Sequence, residues 1–284
     1  VKHSTQLHKI RQAIADEVRA TFANPNRKPS FVAAAVNQRV LPESAVSFDV
    51  HADVTTMMIG GISALLLQML HPAALAGVWD FSNFREDMGG RLRRTAGFIA
   101  VTTYGSAADA EAAISRVRRI HSKVEGHLPD GRPYRANDPQ LLTFVGVTEA
   151  ISFLNAWVRY RDPLMLMRDQ DRYFAEMAGI ARRLGAEDVP ETRRAAEAWL
   201  IAIRPQLRVD DRTREVARLL LSQVDSASPM APAHRLMMDA GVDLLPGWAR
   251  RMHRMPGAGF RAPLLRAGAS GMGAVLRWAM AKPA

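Results

Sequence analysis

The chain is predicted to be all-α. Apolar residues recur at helical spacing along most of its 284 residues. No stretch alternates polar and apolar residues as a half-buried strand would. Proline, glycine and Asp or Ser fall at intervals of one helix length, where starts and stops are needed. A composition 48% hydrophobic and 23% charged supplies an ordinary globular core.

The first helix is expected over residues 5–22, where Ile10, Ala13, Ile14, Val18 and Phe22 share a face. NPNRKPS (24–30) is a linker, and LPESAVSFDVHAD (41–53) a lead-in loop. A helix over 53–78 is apolar almost all round, as a helix in the middle of a bundle must be. Pro72 interrupts it: without an N–H it leaves the Gln68 carbonyl unpaired, so a kink is expected there, served by Gln68 and His71. FSNFREDMGG (81–90) breaks the pattern. RLRRTAGFIAVTTYGS resumes it from 91 until Gly105, and Ser106 caps a helix over 107–125 that Gly126 ends.

A polar loop follows, with a turn at Asp130-Gly131. Asp138-Pro139 then starts a long helix that runs to Arg161. Five shorter helices are expected at 166–184, 190–203, 210–224, 231–244 and 259–280, with LLPGWARR (244–251) as a hinge. No internal repeat divides the chain, so residues 1–284 read as a single domain. Its centre is the pair 53–78 and 138–161, flanked by 91–104 and 107–125.

With no cysteine, thiolate metal sites, iron–sulfur clusters and cysteine nucleophiles are excluded. The net charge of +10 comes from 38 Lys and Arg against 28 Asp and Glu, spread along the chain without a nucleic-acid motif, so no nucleic-acid partner is expected. The N-terminal stretch lacks the apolar core of a signal peptide, and the longest apolar run, MMIGGISALLLQML, falls short of the roughly 20 residues that cross a bilayer. A cytoplasmic protein is expected. The basic stretch FRAPLLRAGASGMGAVLRWAMAK suits either an anionic membrane surface or a terminal helix packing Leu264, Leu265, Val275, Leu276 and Trp278 on the core.

Phosphate-loop, nucleophile-elbow and His-Glu-x-x-His patterns are missing, and Glu149 has no histidine three residues on, as a di-iron bundle would need. Two segments, 68–106 and 117–146, concentrate polar residues among apolar ones. In the second, His121 shares a face with Ile114, Val117 and Val124; a neutral imidazole there is either a metal ligand or a core histidine bonded to a backbone carbonyl. In the first, Arg91, Thr95, Phe98 and Thr102 share a face, with Arg94 beside them. Arg91 needs an anion, either a ligand carboxylate or Asp87 or Glu86. His51 and Asp53 have no partner by helical spacing.

The blocks LLLQMLHPAALAGVWDFSNF, RLRRTAGFIAVTTYGS, VRRIHSKVEG and DGRPYRANDPQLLTFV, in this order, resemble the catalytic domain of rubber oxygenases (latex-clearing proteins) and MpaB-type oxygenases, over about 50–225. The resemblance implies an all-α, globin-like fold with a buried pocket for haem b, His121 as the axial iron ligand, and Arg91 and Thr95 near the haem. Val117, Val124 and Phe98 would then line the cofactor, with Met57 and the long apolar helix walling a dry pocket. Thr95 or Arg94 would face bound dioxygen. The activity implied is haem-dependent oxidation of an apolar substrate, isoprenoid or fatty, with a redox partner of unknown identity. Two alternatives are a non-catalytic haem protein and a haem-free helical module for a lipid or partner helix. Two positions depart from rubber oxygenases: Arg94 stands where they carry a lysine able to ligate iron, and PAALAGV lacks their acidic residue, leaving Asp80 and Glu86 as the nearest acids.

Overall fold

Six helices begin in the same way: Asp53, Asp87, Ser106, Asp138, Thr192 and Asp210 each accept a hydrogen bond from the backbone N–H three residues on. Each satisfies a donor that the helix itself leaves unpaired. The computed structural model describes residues 11–16, 33–223 and 230–281. Within them the helices are α1 (Ser47–Ala52), α2 (Val54–Gln68), α3 (Pro72–Phe81), α4 (Met88–Tyr104), α5 (Ala107–His121), α6 (Pro139–Tyr160), α7 (Met167–Leu184), α8 (Arg193–Ile203), α9 (Asp211–Leu221), α10 (Ala231–Leu244), α11 (Gly247–Met252) and α12 (Ala262–Met280). Of the helix expected at 5–22, residues 11–16 are helical and the rest lies outside the described residues. Among the described residues the only sheet is a hairpin of β1 (Glu125–His127) and β2 (Pro133–Arg135).

Several expectations need correction. The helix over 53–78 is two helices bent by 103°. Pro72 cannot donate, the N–H groups of Leu70 and His71 fall back on Leu67 and Gln68 at 3.1 Å, and the His71 Nδ1 accepts from Ala73 N to cap α3. The kink is thus a complete break. The helix over 107–125 stops at His121 because the Val124 carbonyl accepts from Ala136 N in the hairpin's ladder. Gly126 is therefore not a helix stop. It lies in β1 against Tyr134, whose ring would stand 3.0 Å from a Cβ there. The lead-in loop contains α1, and the hinge at 244–251 contains α11.

Helices α2 and α6 run antiparallel through the centre. Their backbones meet at Gly60, where a Cβ would lie 2.7 Å from the Phe153 ring and 2.9 Å from its Cα. On the other side of α2, a Cβ on Gly241 of α10 would lie 2.6 Å from Ile62. Expected as the flanks of this pair, α4 and α5 instead pack on each other, on α1 and on α7. Direct neighbours of the central pair include α7, α8, α10 and α12.

Buried carboxylates fix the C-terminal helices. Asp243 on α10 pairs with Arg266 (2.9 Å) and Arg159 (3.3 Å), and Asp53 at the start of α2 pairs with Arg277 (2.7 Å). Removing one partner would leave a buried charge uncompensated. On α12, Leu276 is buried as expected, but Leu264, Val275 and Trp278 are exposed, because Ala269, Gly273 and Ala279 form the inward face. Helix α6 is long and apolar enough to cross a membrane, yet 72% of its apolar window is buried inside the protein.

The close approach at Gly60 predicts that Gly60→Ala destabilises the fold by about 1–3 kcal/mol through overpacking. Gly61→Ala, whose Cβ would sit 3.8 Å from Phe153, should be neutral or slightly stabilising. Urea unfolding of the two variants checks this, and equal destabilisation would contradict the packing described.

Candidate functional site

Because α3 leaves α2 at 103°, it cannot follow α6, and the space between α3, α4, α6 and α7 stays open. It forms a mainly apolar cavity of about 350 Å³, in the range of small-molecule sites. Leu65, Leu75, Val78, Leu141, Leu142 and Ile180 are among its apolar walls.

The polar residues facing it gather at two ends. Helices α4 and α5 are joined by only Gly105 and Ser106 and pack together as an αα-hairpin. The last residue of α5, His121, is thereby returned to the level of the first turns of α4, near Arg91. Thr102 and Thr103 lie at the opposite end of α4. Twelve residues separate Arg91 from Thr103, roughly 18 Å at the helical rise.

At the Arg91 end, the guanidinium is half-buried, and no carboxylate among the described residues pairs with it. Burial lowers its pKa, and neighbouring Arg94 lowers it further. Asp87, the expected internal partner, is engaged elsewhere: it caps α4 through Gly90 N (2.7 Å) and pairs with Arg94 (3.3 Å). His121 is half-buried, faces the cavity, and hydrogen-bonds through its ring to no described residue. Burial depresses its pKa, so the neutral imidazole dominates near pH 7.

At the other end, His51 is bonded through both ring nitrogens, Nδ1 to Thr103 Oγ1 (2.8 Å) and Nε2 to the Tyr173 hydroxyl (2.9 Å). The tautomer follows from the last link. Thr103 Oγ1 donates its one hydrogen to the Ile99 carbonyl (2.7 Å), so it accepts from His51 Nδ1–H, and Nε2 accepts from Tyr173. Burial pushes the His51 pKa down to about 3, and the ring stays neutral. Helix α1, which carries His51, is held from α7: buried Glu176 accepts from Val46 N (3.0 Å) and Ser47 N (2.9 Å) at its N-terminus. Glu149, on α6, also faces the cavity here. It takes no hydrogen bond or ion pair among the described residues, and burial raises its pKa to about 7. Burial, then Glu149 and Glu176, raise the Tyr173 phenol well above its ordinary value.

Of the residues singled out from sequence, Arg91, Phe98, His121 and Val124 line the cavity. Val117 is half-buried but outside the lining, and Met57 packs into the core, its expected place taken by Leu65 and Met69. Thr95 does not face the cavity: it is exposed, and its hydroxyl donates to the Arg91 carbonyl (3.3 Å). Arg94 is exposed as well and reaches back to Asp87 and Asn83. The cavity meets α4 along Arg91, Phe98, Ile99 and Thr102, without Thr95 or Arg94. Asp80 accepts from the Tyr134 hydroxyl (2.6 Å), and neither it nor Glu86 reaches the cavity. His71 is committed as a cap, with its ring 5.0 Å from that of Phe144.

The chain matches the model of the family described as ER-bound oxygenase mpaB/B′/rubber oxygenase, catalytic domain, over residues 48–278. It belongs to that family. The match covers every helix from α1 through most of α12 and extends past 225, the limit to which the resemblance was expected to reach. No curated protein and no solved structure matches the chain. Membership makes this an oxygenase-family domain, and an oxygenase implies a substrate and dioxygen.

Sequence reasoning missed the His51 end of the oxygenase's cavity. His51, Thr103 and Tyr173 come from helices far apart in sequence, and only Glu149, an acid on an otherwise apolar helix, was a usable signal.

Glu149 gives a pH signature. Its folded pKa lies above the ordinary 4.5, so the folded state holds the proton more tightly. The stability this contributes is full below pH 4.5 and is lost as pH rises through about 7. Glu149→Gln should therefore gain about 1–3 kcal/mol over the parent on going from pH 4.5 to pH 8.5. Urea unfolding at both values checks this, and a pH-independent difference would show that Glu149 is ordinary.

Proposed function

We propose that the chain is a haem-dependent oxygenase acting on an apolar, isoprenoid or fatty, substrate, with His121 as the axial ligand of a b-type haem. The observation that carries this reading is a neutral, unpartnered imidazole and an unpaired guanidinium facing one end of an apolar cavity. The residues fit the group: haem needs one protein nitrogen for its iron and a cation for its propionates. Among the described residues no three of His, Cys, Asp and Glu come together, so a multi-ligand metal centre has no donor set there.

In this reading His121 would hold the iron through a ring nitrogen, and Arg91 would bind a propionate carboxylate. Phe98 and Val124 give the macrocycle apolar surface. The haem supplies the activation of dioxygen that side chains cannot perform. Apolar walls exclude bulk water and take up the apolar substrate. Thr95 and Arg94, exposed and outside the cavity lining, are given no role beside dioxygen in this reading. Thr95 instead bonds the backbone of Arg91. Globin-like character is meant in this limited sense of a haem held between helices by one histidine. The chain acts as one domain, with 50–225 as the oxygenase core and the terminal helices packed on it. A redox partner enters this reading where only one oxygen atom of dioxygen goes into the substrate.

The test is the absorbance spectrum and haem content of purified wild type, His121→Ala, His71→Ala, Arg91→Ala and Arg94→Ala. His121→Ala should lose the Soret band or shift it strongly, and Arg91→Ala should weaken haem retention by about tenfold, as loss of one charge-assisted contact does. His71→Ala and Arg94→Ala should keep the wild-type spectrum. An unchanged spectrum in His121→Ala would sink the ligand assignment. Wild-type protein that stays colourless with added haemin would replace the oxygenase reading with a haem-free binding module.

A further inference from the structure

Glu149 takes no part in holding a group at the His121 end, yet it is the one carboxyl among the described residues that faces the cavity. A half-buried carboxyl with no protein partner is satisfied only by what enters the cavity. What could satisfy it is set by its surroundings, which are unusually complete in their own hydrogen bonding. Thr102 Oγ1 donates to the Phe98 carbonyl (2.9 Å), Thr103 to that of Ile99, Tyr173 to His51, and His51 to Thr103. Among the described residues, the hydroxyl and imidazole protons at this end are thus committed inside the protein, and the carboxyl proton of Glu149 is not. The Glu149 carboxyl is therefore a free donor, set in an apolar wall that includes Ala150, Phe153, Met177 and Ile180, with Gln68, one of whose amide protons goes to the Val145 carbonyl (3.4 Å), also in the lining.

We propose that the His51 end of the cavity recognises a neutral acceptor oxygen, a carbonyl first of all, at one terminus of an otherwise apolar substrate, with the Glu149 carboxyl as hydrogen-bond donor. This rests on the reading of the cavity as an apolar-substrate site, but not on haem being bound. The substrate class is then narrower than a plain hydrocarbon: a ketone, aldehyde or ester whose apolar body extends along α4 towards Arg91 and His121. A carboxylate terminus is disfavoured at this end, because it would compete with Glu149 for a single proton. The rigid network around Glu149 has a purpose in this account. With His51 neutral and doubly bonded, no cation lies beside Glu149 to ionise it.

The groups that bear on its protonation are few. From α1 there is His51, from α4 Arg91, from α5 His121, and from α7 Tyr173 and Glu176. His51 stays neutral down to about pH 3, and burial keeps the Tyr173 phenol protonated. Arg91 and His121 belong to the far end. The donor is therefore present below about pH 7 and absent above it.

The experiment is equilibrium binding of 2-dodecanone and of 1-dodecene to the protein as purified, by displacement of a neutral fluorescent naphthylamine, at pH 5.5 and pH 8.5. At pH 5.5 the wild type should prefer the ketone by about three- to tenfold, the worth of one hydrogen bond, and at pH 8.5 the preference should vanish. Glu149→Gln, whose amide donates at any pH, should keep a preference at both values. Glu149→Leu should bind the alkene and show no preference at either. A wild-type preference that does not change with pH, one that survives in Glu149→Leu, or failure of the wild type to bind the ketone at pH 5.5 would overturn the proposal. Should Glu149→Leu fail to bind the alkene, the pH response of Glu149→Gln decides. A colourless protein that shows the pH-dependent preference would refute the haem reading alone, and a haem-loaded protein without it would refute this proposal alone.

Discussion

The missing N–H of Pro72 governs the site. Up to Gln68, α2 lies flat against α6, close enough at Gly60 to exclude a single methyl group. Had the helix continued, its next turns would have filled the space beside Leu141, Leu142 and Val145. Instead the chain turns by 103°, and α3 becomes a wall on the far side of a void. Both features of the central pair are thus used: tight contact at one end supplies rigidity, and divergence at the other supplies volume. The hairpin β1–β2 then props α3 in place through Tyr134 and Asp80, and Leu128 packs with Tyr134 and Ala76 beneath it.

Most of the fold was legible because its signals are local. Asp53, Ser106, Asp138 and Asp210 act within three residues of themselves, so helix starts could be placed from sequence. The ends were harder. Val124 continues the apolar spacing of α5, yet its carbonyl is claimed by Ala136, a partner that helical periodicity cannot reveal. Helix α1 was invisible for the same reason, since the carboxylate that satisfies its first N–H groups lies on Glu176, some 130 residues away in the chain.

The candidate site divides along the same line. Its Arg91 end was legible, because Arg91, Phe98 and His121 fall on helical stripes within two neighbouring segments. Spacing did not, however, fix which residues of the stripe meet the cavity. Thr95 falls between Thr102 and Ile99 in angle around the helix, yet it is exposed while those two residues and Phe98 line the cavity. The acid expected upstream of Arg91 is indeed missing from PAALAGV. The cavity draws its acid from α6 instead, and no local pattern links that position to the others.

The two half-buried titratable groups at the Thr103 end, His51 and Glu149, show why this end works as a neutral recognition surface rather than an ion pair. Moving the Glu149 proton to His51 would require a carboxyl with a pKa of about 7 to protonate a ring with one of about 3. Burial acts on both groups in the same direction, against charge, and therefore pushes their pKa values apart. His51 also lacks a free nitrogen, since Thr103 and Tyr173 hold both. With charge confined to the Arg91 end, the cavity is polarised along its length. An amphiphile carrying one neutral oxygen can satisfy Glu149 and still lay its apolar body against the remaining wall, whereas a fully apolar chain leaves that carboxyl unpaired.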